Sequence, residues 1–212
     1  MNALIYTGGD WPEDTLVRRL VQQADDFICC DGAANRACSL GLPIRLLVGD
    51  MDSIQLSVFK SLQTQTPILR LPCEKDWTDL EMACNLAIER GADRVTIVGG
   101  LGGRMDHAMG NLQCLFALAR RGVDAQMEGR DEVVRVLLKE GRILGAKGKT
   151  FSLVPLLPDT IVQRMEGAFY PLHHAALPLG CTLGISNVAV EDVVQIQIQQ
   201  GAALLFIVRE PV

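Results

Sequence analysis

Short apolar runs alternate with amphipathic stretches through the first two thirds of the chain. The runs occupy residues 3–9, 27–30, 44–49, 68–72 and 94–100. Each is followed by a stretch with helical spacing, such as 14–24, where Leu16, Leu20 and Val21 share one side. Strands that alternate with helices predict an α/β fold with a doubly wound, mostly parallel sheet.

The pattern changes in the last third, where no helical spacing remains. Val194, Ile196 and Ile198 recur with period two, the pattern breaks at Gly201, and an apolar run then resumes. This arrangement predicts a β-hairpin across Gly201. We therefore predict two domains, an α/β domain over residues 1–132 and a small all-β domain over residues 133–212.

Composition narrows the classes of protein to which this chain can belong. Of its 212 residues, 49% are hydrophobic and 21% are charged, which is typical of a globular protein with a sizeable core. The formal net charge of −5 argues against a dedicated nucleic-acid-binding protein, which usually carries a basic face. No apolar run reaches the roughly 18 residues of a membrane span, and the N-terminus lacks the basic region of a signal peptide. Seven scattered cysteines without a CxxC pair indicate free thiols, so we expect a cytoplasmic protein with no membrane or nucleic-acid partner.

Acidic residues follow four of the predicted strands. Beyond the carboxyl ends of these strands the chain places Asp31, then Asp50 and Asp52, then Glu74, Lys75, Asp76, Thr78 and Asp79, and finally Arg104, Asp106 and His107. Ligands of doubly wound sheets bind at that edge. Clustered carboxylates repel one another unless a cation neutralises them, and Mg²⁺ is usually held by one or two carboxylates together with substrate phosphates. The sequence therefore predicts a site for Mg²⁺ and a phosphorylated ligand.

Each of these motifs also has a purely structural interpretation. Thr78 and Glu81 fit a capping box at the start of a helix, and Asp106 could be the N-cap of the next helix. Asp50 and Asp52 could be solvated turn residues, and His107 could be an ordinary histidine at a helix start. The segment VGGLGGRMDHAMGN (98–111) does not match the dinucleotide-binding fingerprint, because Met105 stands where its third glycine is required.

Six motifs in order resemble the thiamine pyrophosphokinase family over nearly the whole chain. They are DGAANR (31–36), GDMDSI (49–54), EKDWTDLE (74–81), GGLGGRMDH (99–107) with Asn111, YPL (170–172) and GISN (184–187). The resemblance implies an α/β nucleotide domain followed by a β-sandwich. It also implies transfer of the pyrophosphoryl group of ATP to the hydroxyl of thiamine with Mg²⁺, in a homodimer whose active sites lie at the interface.

The resemblance also implies roles for individual residues. It places Asp50, Asp52 and Asp79 on the metal, with Asp31 nearby, and Asp106 beside the thiamine hydroxyl or a second metal. ATP and its phosphates would be held by Asp31, Lys75, Asp76, Thr78, Arg104, His107 and Asn111. We expect the catalytic set to be Asp50, Asp52, Asp79, Arg104 and Asp106. Thiamine would bind at Tyr170, Ser186 and Asn187. The chain departs from the family at Tyr170, where some relatives carry tryptophan, and at Val188, where many carry an acid.

Two other functions remain open from the sequence. The D-x-D pair Asp50 and Asp52 after an apolar strand is also found in metal-dependent phosphatases of the haloacid-dehalogenase type. A non-catalytic module that binds a nucleotide or thiamine is the second alternative.

Overall fold

A computed structural model describes residues 1–74 and 76–209 of the chain. The chain divides into two compact units, Met1–Arg130 and a second unit that begins at Asp131. Within the described residues, no helix is both long and apolar enough to cross a membrane.

The first unit is a parallel sheet with helices between its strands. Its elements are β1 (Asn2–Tyr6), α1 (Asp14–Gln22), β2 (Asp26–Cys30), α2 (Ala33–Ser39), β3 (Leu46–Gly49), α3 (Leu56–Leu62), β4 (Ile68–Arg70), α4 (Asp79–Glu89), β5 (Arg94–Val98), α5 (Met105–Arg120) and β6 (Asp124–Glu128). The strand order is β6-β5-β1-β2-β3-β4, and every pairing is parallel. The predicted α/β fold is confirmed.

Burial explains why the apolar runs become central strands. All five residues of β2 and all four of β3 are buried, as expected for strands covered by helices on both faces. Helix α1 buries Val17 and Leu20, partly buries Leu16 and Val21, and keeps its charged residues outside. The helix is amphipathic as predicted, with Val17 added to the predicted apolar side. The carboxyl ends of β2 and β3 therefore lie side by side on a rigid core.

The second unit is a sandwich of two antiparallel sheets. Its strands are β7 (Glu132–Leu137), β8 (Glu140–Leu144), β9 (Thr150–Pro155), β10 (Thr160–Glu166), β11 (Leu172–Leu177), β12 (Asn187–Val188), β13 (Val193–Gln200) and β14 (Ala203–Val208). One sheet has the order β12-β9-β14-β7 and the other β11-β10-β13-β8. Buried side chains from both sheets, among them Phe151, Leu153, Met165 and Ile196, form one core.

The predicted hairpin across Gly201 is wrong. Strand β13 pairs with β10 and β8, whereas β14 pairs with β7 and β9, so the chain passes from one sheet to the other at this glycine. Gly201 has φ +84°, and a Cβ there would lie 2.6 Å from the Thr160 hydroxyl oxygen. That hydroxyl hydrogen-bonds the carbonyl of Ala202 at 3.0 Å and fixes the corner. Alternating hydrophobicity reports which face of a strand is buried, and it does not identify the neighbouring strand.

Candidate active site

A cleft of about 710 Å³ opens at the carboxyl edge of the parallel sheet. Seven of the residues that the sequence predicts to bind ATP or metal line it: Asp31, Asp50, Thr78, Asp79, Arg104, His107 and Asn111. In the described part of the chain, Asp52, Asp76 and Asp106 are not among the lining residues. Lys75 lies outside the described residues. The strand ends that carry acids in the sequence therefore share one cavity.

Three carboxylates meet where β2 and β3 end. Asp31 follows β2 and Asp50 follows β3, and each of Asp31, Asp50 and Asp52 offers an oxygen within 4.8 Å of the other two. The Ser53 hydroxyl lies between two of them, 3.1 Å from Asp31 Oδ2 and 2.6 Å from Asp52 Oδ1. The backbone N–H of Asp52 donates to Asp50 at 3.2 Å. This is an oxygen-only donor set of the kind that hard divalent cations bind.

The carboxylate of Asp31 is incompletely satisfied. The residue is buried and its Oδ2 accepts hydrogen bonds from Ser53, but Oδ1 is buried and has no hydrogen-bond partner among the described residues. Burial, opposed by the hydrogen bonds from Ser53 and assisted by the neighbouring Asp52, raises the pKa of Asp31 to about 6. A buried oxygen without a donor is costly unless a cation or water reaches it. The residues present therefore fit a divalent metal.

The backbone at these strand ends is held in unusual conformations. Asp31 has φ +39° and Met51 has φ +70°, values that few non-glycine residues adopt. Gly49 has φ +150°, and a Cβ there would lie 2.8 Å from Asp31 Cβ and 3.2 Å from Asp79 Oδ2. The absence of a side chain at Gly49 lets Asp31 and Asp79 approach the same strand end, so strain is concentrated beside the acids.

The start of α4 forms another wall of the cleft. Thr78 is the N-cap, and its hydroxyl accepts a hydrogen bond from the backbone N–H of Glu81 at 3.2 Å, so the predicted cap is confirmed. Thr78, Asp79 and Leu80 all line the cavity. The exposed N–H groups and dipole of a helix N-terminus favour phosphate. Capping and ligand binding are compatible at this position.

The glycine-rich segment after β5 interlocks with the loop after β1. Gly9 N–H donates to the carbonyl of Gly99 and Asp10 N–H to that of Leu101, both at 2.7 Å. Asn111 on α5 donates to the carbonyl of Gly100 at 2.8 Å. Thr7, Gly8 and Gly9 line the cleft as well. Sequence reasoning missed this first loop, although the Gly8-Gly9 pair directly after an apolar strand was the available signal.

Arg104 and Asp106 form a bidentate ion pair at the start of α5. The helix begins at Met105 with Arg104 as its N-cap residue, so the N-cap interpretation of Asp106 is wrong. Arg104 donates to the two oxygens of Asp106 at 3.1 and 2.5 Å, and the backbone N–H of His107 donates at 3.0 Å. The Arg104 guanidinium lowers the pKa of Asp106 to about 2. Both side chains are exposed, so this pair contributes little to stability.

Asn35 is a second residue that sequence reasoning missed. It lies on α2 within the DGAANR motif, and its amide donates to the carbonyl of Ser53 at 3.1 Å and accepts from the N–H of Gln55 at 2.8 Å. These two bonds hold the loop that carries Asp50 and Asp52. Asn35 lies on a different element from the acids, with β3 between them in the chain, so the sequence gave no indication of that contact.

The second unit holds the three residues predicted to bind thiamine. Tyr170 is exposed and packs edge to face against Phe169, with ring centroids 4.8 Å apart. Asn187 is buried, and its amide binds the backbone N–H and carbonyl of Tyr170 at 3.1 and 2.8 Å. Ser186 is exposed with φ +55°, and its N–H donates to the Ser152 hydroxyl at 3.0 Å. Asn187 therefore fixes the backbone from which the Tyr170 ring projects.

Comparison with known proteins gives consistent matches for both units. The family models described as "Thiamin pyrophosphokinase, catalytic domain" and "Thiamin pyrophosphokinase, vitamin B1 binding domain" match residues 17–127 and 134–203. A thiamine pyrophosphokinase of Bacillus subtilis is 32% identical over 142 residues, covering 66% of each chain. A solved thiamine pyrophosphokinase structure from the same species has a TM-score of 0.87 at 23% identity, with full coverage of both chains. One from Geobacillus thermodenitrificans has a TM-score of 0.85 at 25% identity, covering 99% of this chain and 98% of the other.

Proposed function

This chain belongs to the thiamin pyrophosphokinase family, and we propose that it transfers the pyrophosphoryl group of ATP to the hydroxyl of thiamine. The products are AMP and thiamine diphosphate. The observation that carries the proposal is the cluster of Asp31, Asp50 and Asp52, in which one Asp31 oxygen has no partner among the described residues. Asp31 and Asp50 of this cluster line one cleft with the start of α4 and Arg104. A triphosphate and its metal match this combination of groups.

The reaction requires positioning and charge neutralisation more than covalent chemistry. The thiamine oxygen attacks the β-phosphorus, the bond to the oxygen that bridges the α- and β-phosphates breaks, and AMP leaves with that oxygen. Arg104 would bind phosphate oxygens, and the N–H groups at the start of α4 would stabilise the same charge. Asp106 is a weak base while it is paired with Arg104, which favours a role in orienting the acceptor hydroxyl.

A divalent metal is part of the proposal, and we propose Mg²⁺. Asp50 and Asp52 are the ligands that both the motif and the cluster favour. Asp31 lies in the same cluster as Asp50 and Asp52. Asp79 approaches the end of the same strand, beside Gly49. When bound, the metal would neutralise phosphate charge and orient the triphosphate.

The remaining expectations concern thiamine, assembly and location. The α/β domain would carry ATP and metal, and the β-sandwich would bind thiamine through Tyr170, Ser186 and Asn187. We propose a homodimer with active sites at the interface and a cytoplasmic enzyme without nucleic-acid or membrane partners. These statements rest on family membership and on the sequence.

A thiamine-dependent AMP assay tests the proposed function. Purified protein with ATP, Mg²⁺ and thiamine should release AMP and thiamine diphosphate in equal amounts. Release of ADP or inorganic phosphate instead would contradict pyrophosphoryl transfer. The phosphatase alternative predicts hydrolysis of phosphate esters without ATP, and the binding-module alternative predicts tight binding of ATP or thiamine without turnover.

A further inference from the structure

We infer that Trp77 is a stacking platform for the base of the nucleotide, so that the cleft recognises ATP through its purine as well as through its phosphates. The inference rests on the proposed function, because it assigns the cleft of the first unit to a nucleotide. Trp77 lines that cleft, and it is the one Phe, Tyr or Trp side chain among its described lining residues.

The two tryptophans of the chain have opposite environments. Trp11 is 3% exposed, stacks on Tyr6 with ring centroids 5.4 Å apart, and donates its indole N–H to the carbonyl of Thr7 at 2.8 Å. The Arg36 guanidinium lies 5.1 Å above its ring. Trp11 is therefore a structural side chain whose faces and polar atom are already used.

Trp77 has none of these interactions with the described residues. It is 42% exposed, and no ring or cation of another described residue stacks on it. Tryptophan is usually well buried, because leaving so much apolar surface in water is unfavourable. An open indole face at the wall of a polar cleft is the kind of surface on which a flat ligand ring stacks.

The position of Trp77 favours the nucleotide base over other flat groups. Trp77 directly precedes Thr78, the N-cap of α4, whose N–H groups are suited to phosphate. In a nucleotide the base and the phosphates are joined by a single ribose, so a ring beside a phosphate-binding helix start is within reach of the base.

Stacking also predicts a particular specificity. An indole face binds any flat base, and it does not read the hydrogen-bonding groups on the base edge. Trp77 therefore contributes affinity for a base while discriminating little between adenine and guanine. Inorganic tripolyphosphate, which has the phosphates without a base, gains nothing from Trp77.

Comparison of ATP with tripolyphosphate isolates the contribution of the base. Trp77→Ala should raise KM for ATP about 5- to 100-fold, the range expected for losing one stacked base, and should affect kcat much less. Trp77→Phe should restore most of the affinity, because it keeps an aromatic face. The inhibition constant of tripolyphosphate and KM for thiamine should be unchanged in both variants. Leu56→Ala, at an exposed apolar side chain of α3 that is not among the described lining residues, is the matched control.

Three results would overturn the inference. Equal losses of ATP and tripolyphosphate affinity would make Trp77 a support for the helix start, and a rise in KM for thiamine alone would place the ring on thiamine. An unchanged KM for ATP would remove Trp77 from binding altogether. Failure of the proposed function is distinguishable, because wild-type protein would then form no thiamine-dependent AMP. Quenching of tryptophan fluorescence by ATP, lost in Trp77→Phe, would still test stacking in that case.

Discussion

Two buried aspartates stand at opposite ends of strand β2 and have opposite electrostatic environments. Asp26, at the amino edge of the sheet, is 2% exposed and accepts two hydrogen bonds from the Arg90 guanidinium, at 2.6 and 2.9 Å. This pairing lowers its pKa. Asp31, at the carboxyl edge, is 6% exposed, and burial raises its pKa to about 6 while one oxygen has no partner among the described residues.

The difference separates a carboxylate that the fold already pairs from one that is proposed to bind a ligand. Both side chains are buried, so burial alone does not identify a site. Asp26 is fully paired and stabilises the fold, whereas Asp31 carries an unfavourable charge that a metal would neutralise. The carboxylate oxygen of Asp31 that has no partner among the described residues lies at the carboxyl edge, where a ligand can reach it.

Removing the charge of Asp31 should have the largest effect of the changes considered. Asp31→Asn should lower turnover about 10²- to 10³-fold, because it removes a carboxylate aimed at developing charge and metal. The free energy of unfolding should stay the same or increase, since the ionised form is the one that burial disfavours. Thiamine-dependent AMP release and urea denaturation measure the two quantities. Asp124→Asn, at an exposed carboxylate on the amino edge, is the control and should leave both quantities unchanged.

Asp26→Asn should give the reverse result. Loss of the buried half of the Asp26–Arg90 pair should reduce the free energy of unfolding by about 2 kcal/mol, below the usual range because Arg90 is partly exposed. Turnover per folded molecule should remain near that of the wild type. If Asp26→Asn instead gave a stable but inactive protein, the purely structural role assigned to Asp26 would be wrong.

The dependence of stability on pH sharpens the same comparison. Because the pKa of Asp26 is lowered in the folded state, its stabilisation is present above the unfolded value of about 4 and is lost as the pH falls through the folded value. The stability difference between wild type and Asp26→Asn should therefore be constant near neutral pH and shrink below about pH 4. Because both proteins contain Asp31, its contribution cancels when the free energy of unfolding of the variant is subtracted from that of the wild type. A difference that grew in acid would contradict this assignment.

The smallest expected effects are in the β-sandwich, where a buried, hydrogen-bonded side chain can be compared with an exposed one. Asn187→Ala should reduce the free energy of unfolding by about 1–2 kcal/mol, because it removes a buried side chain whose amide makes two part-buried hydrogen bonds to the backbone N–H and carbonyl of Tyr170. Tyr170→Ala should leave stability nearly unchanged, since that ring is 62% exposed, and should raise KM for thiamine. Equal stability losses in the two variants would show that exposure does not separate the two roles in this unit.

Local patterns in the sequence predicted much of the fold and part of the site. Strand and helix alternation, the cap at Thr78 and the acids beyond strand ends all depend on residues near one another in the chain. The sequence does not show which strands pair when they are far apart in the chain. For that reason it predicts β13 and β14 as one hairpin, although they belong to different sheets. The adjacency of β2 and β3, which brings Asp31 to Asp50 and Asp52, is also a property of strand order. Nothing in the sequence indicated that Arg104 and Asp106 bind each other.

The Arg104–Asp106 pair makes anion binding at this position an exchange. A phosphate that bound Arg104 as proposed would have to replace a carboxylate that already accepts two hydrogen bonds from the guanidinium. A lone phosphate exchanges one anion for another and gains little at this arginine. A triphosphate held at several points of the cleft would displace Asp106 with the help of its other contacts. On the proposed function, Asp106 would therefore compete with phosphate for Arg104 and would favour ligands with several linked charges over small free anions.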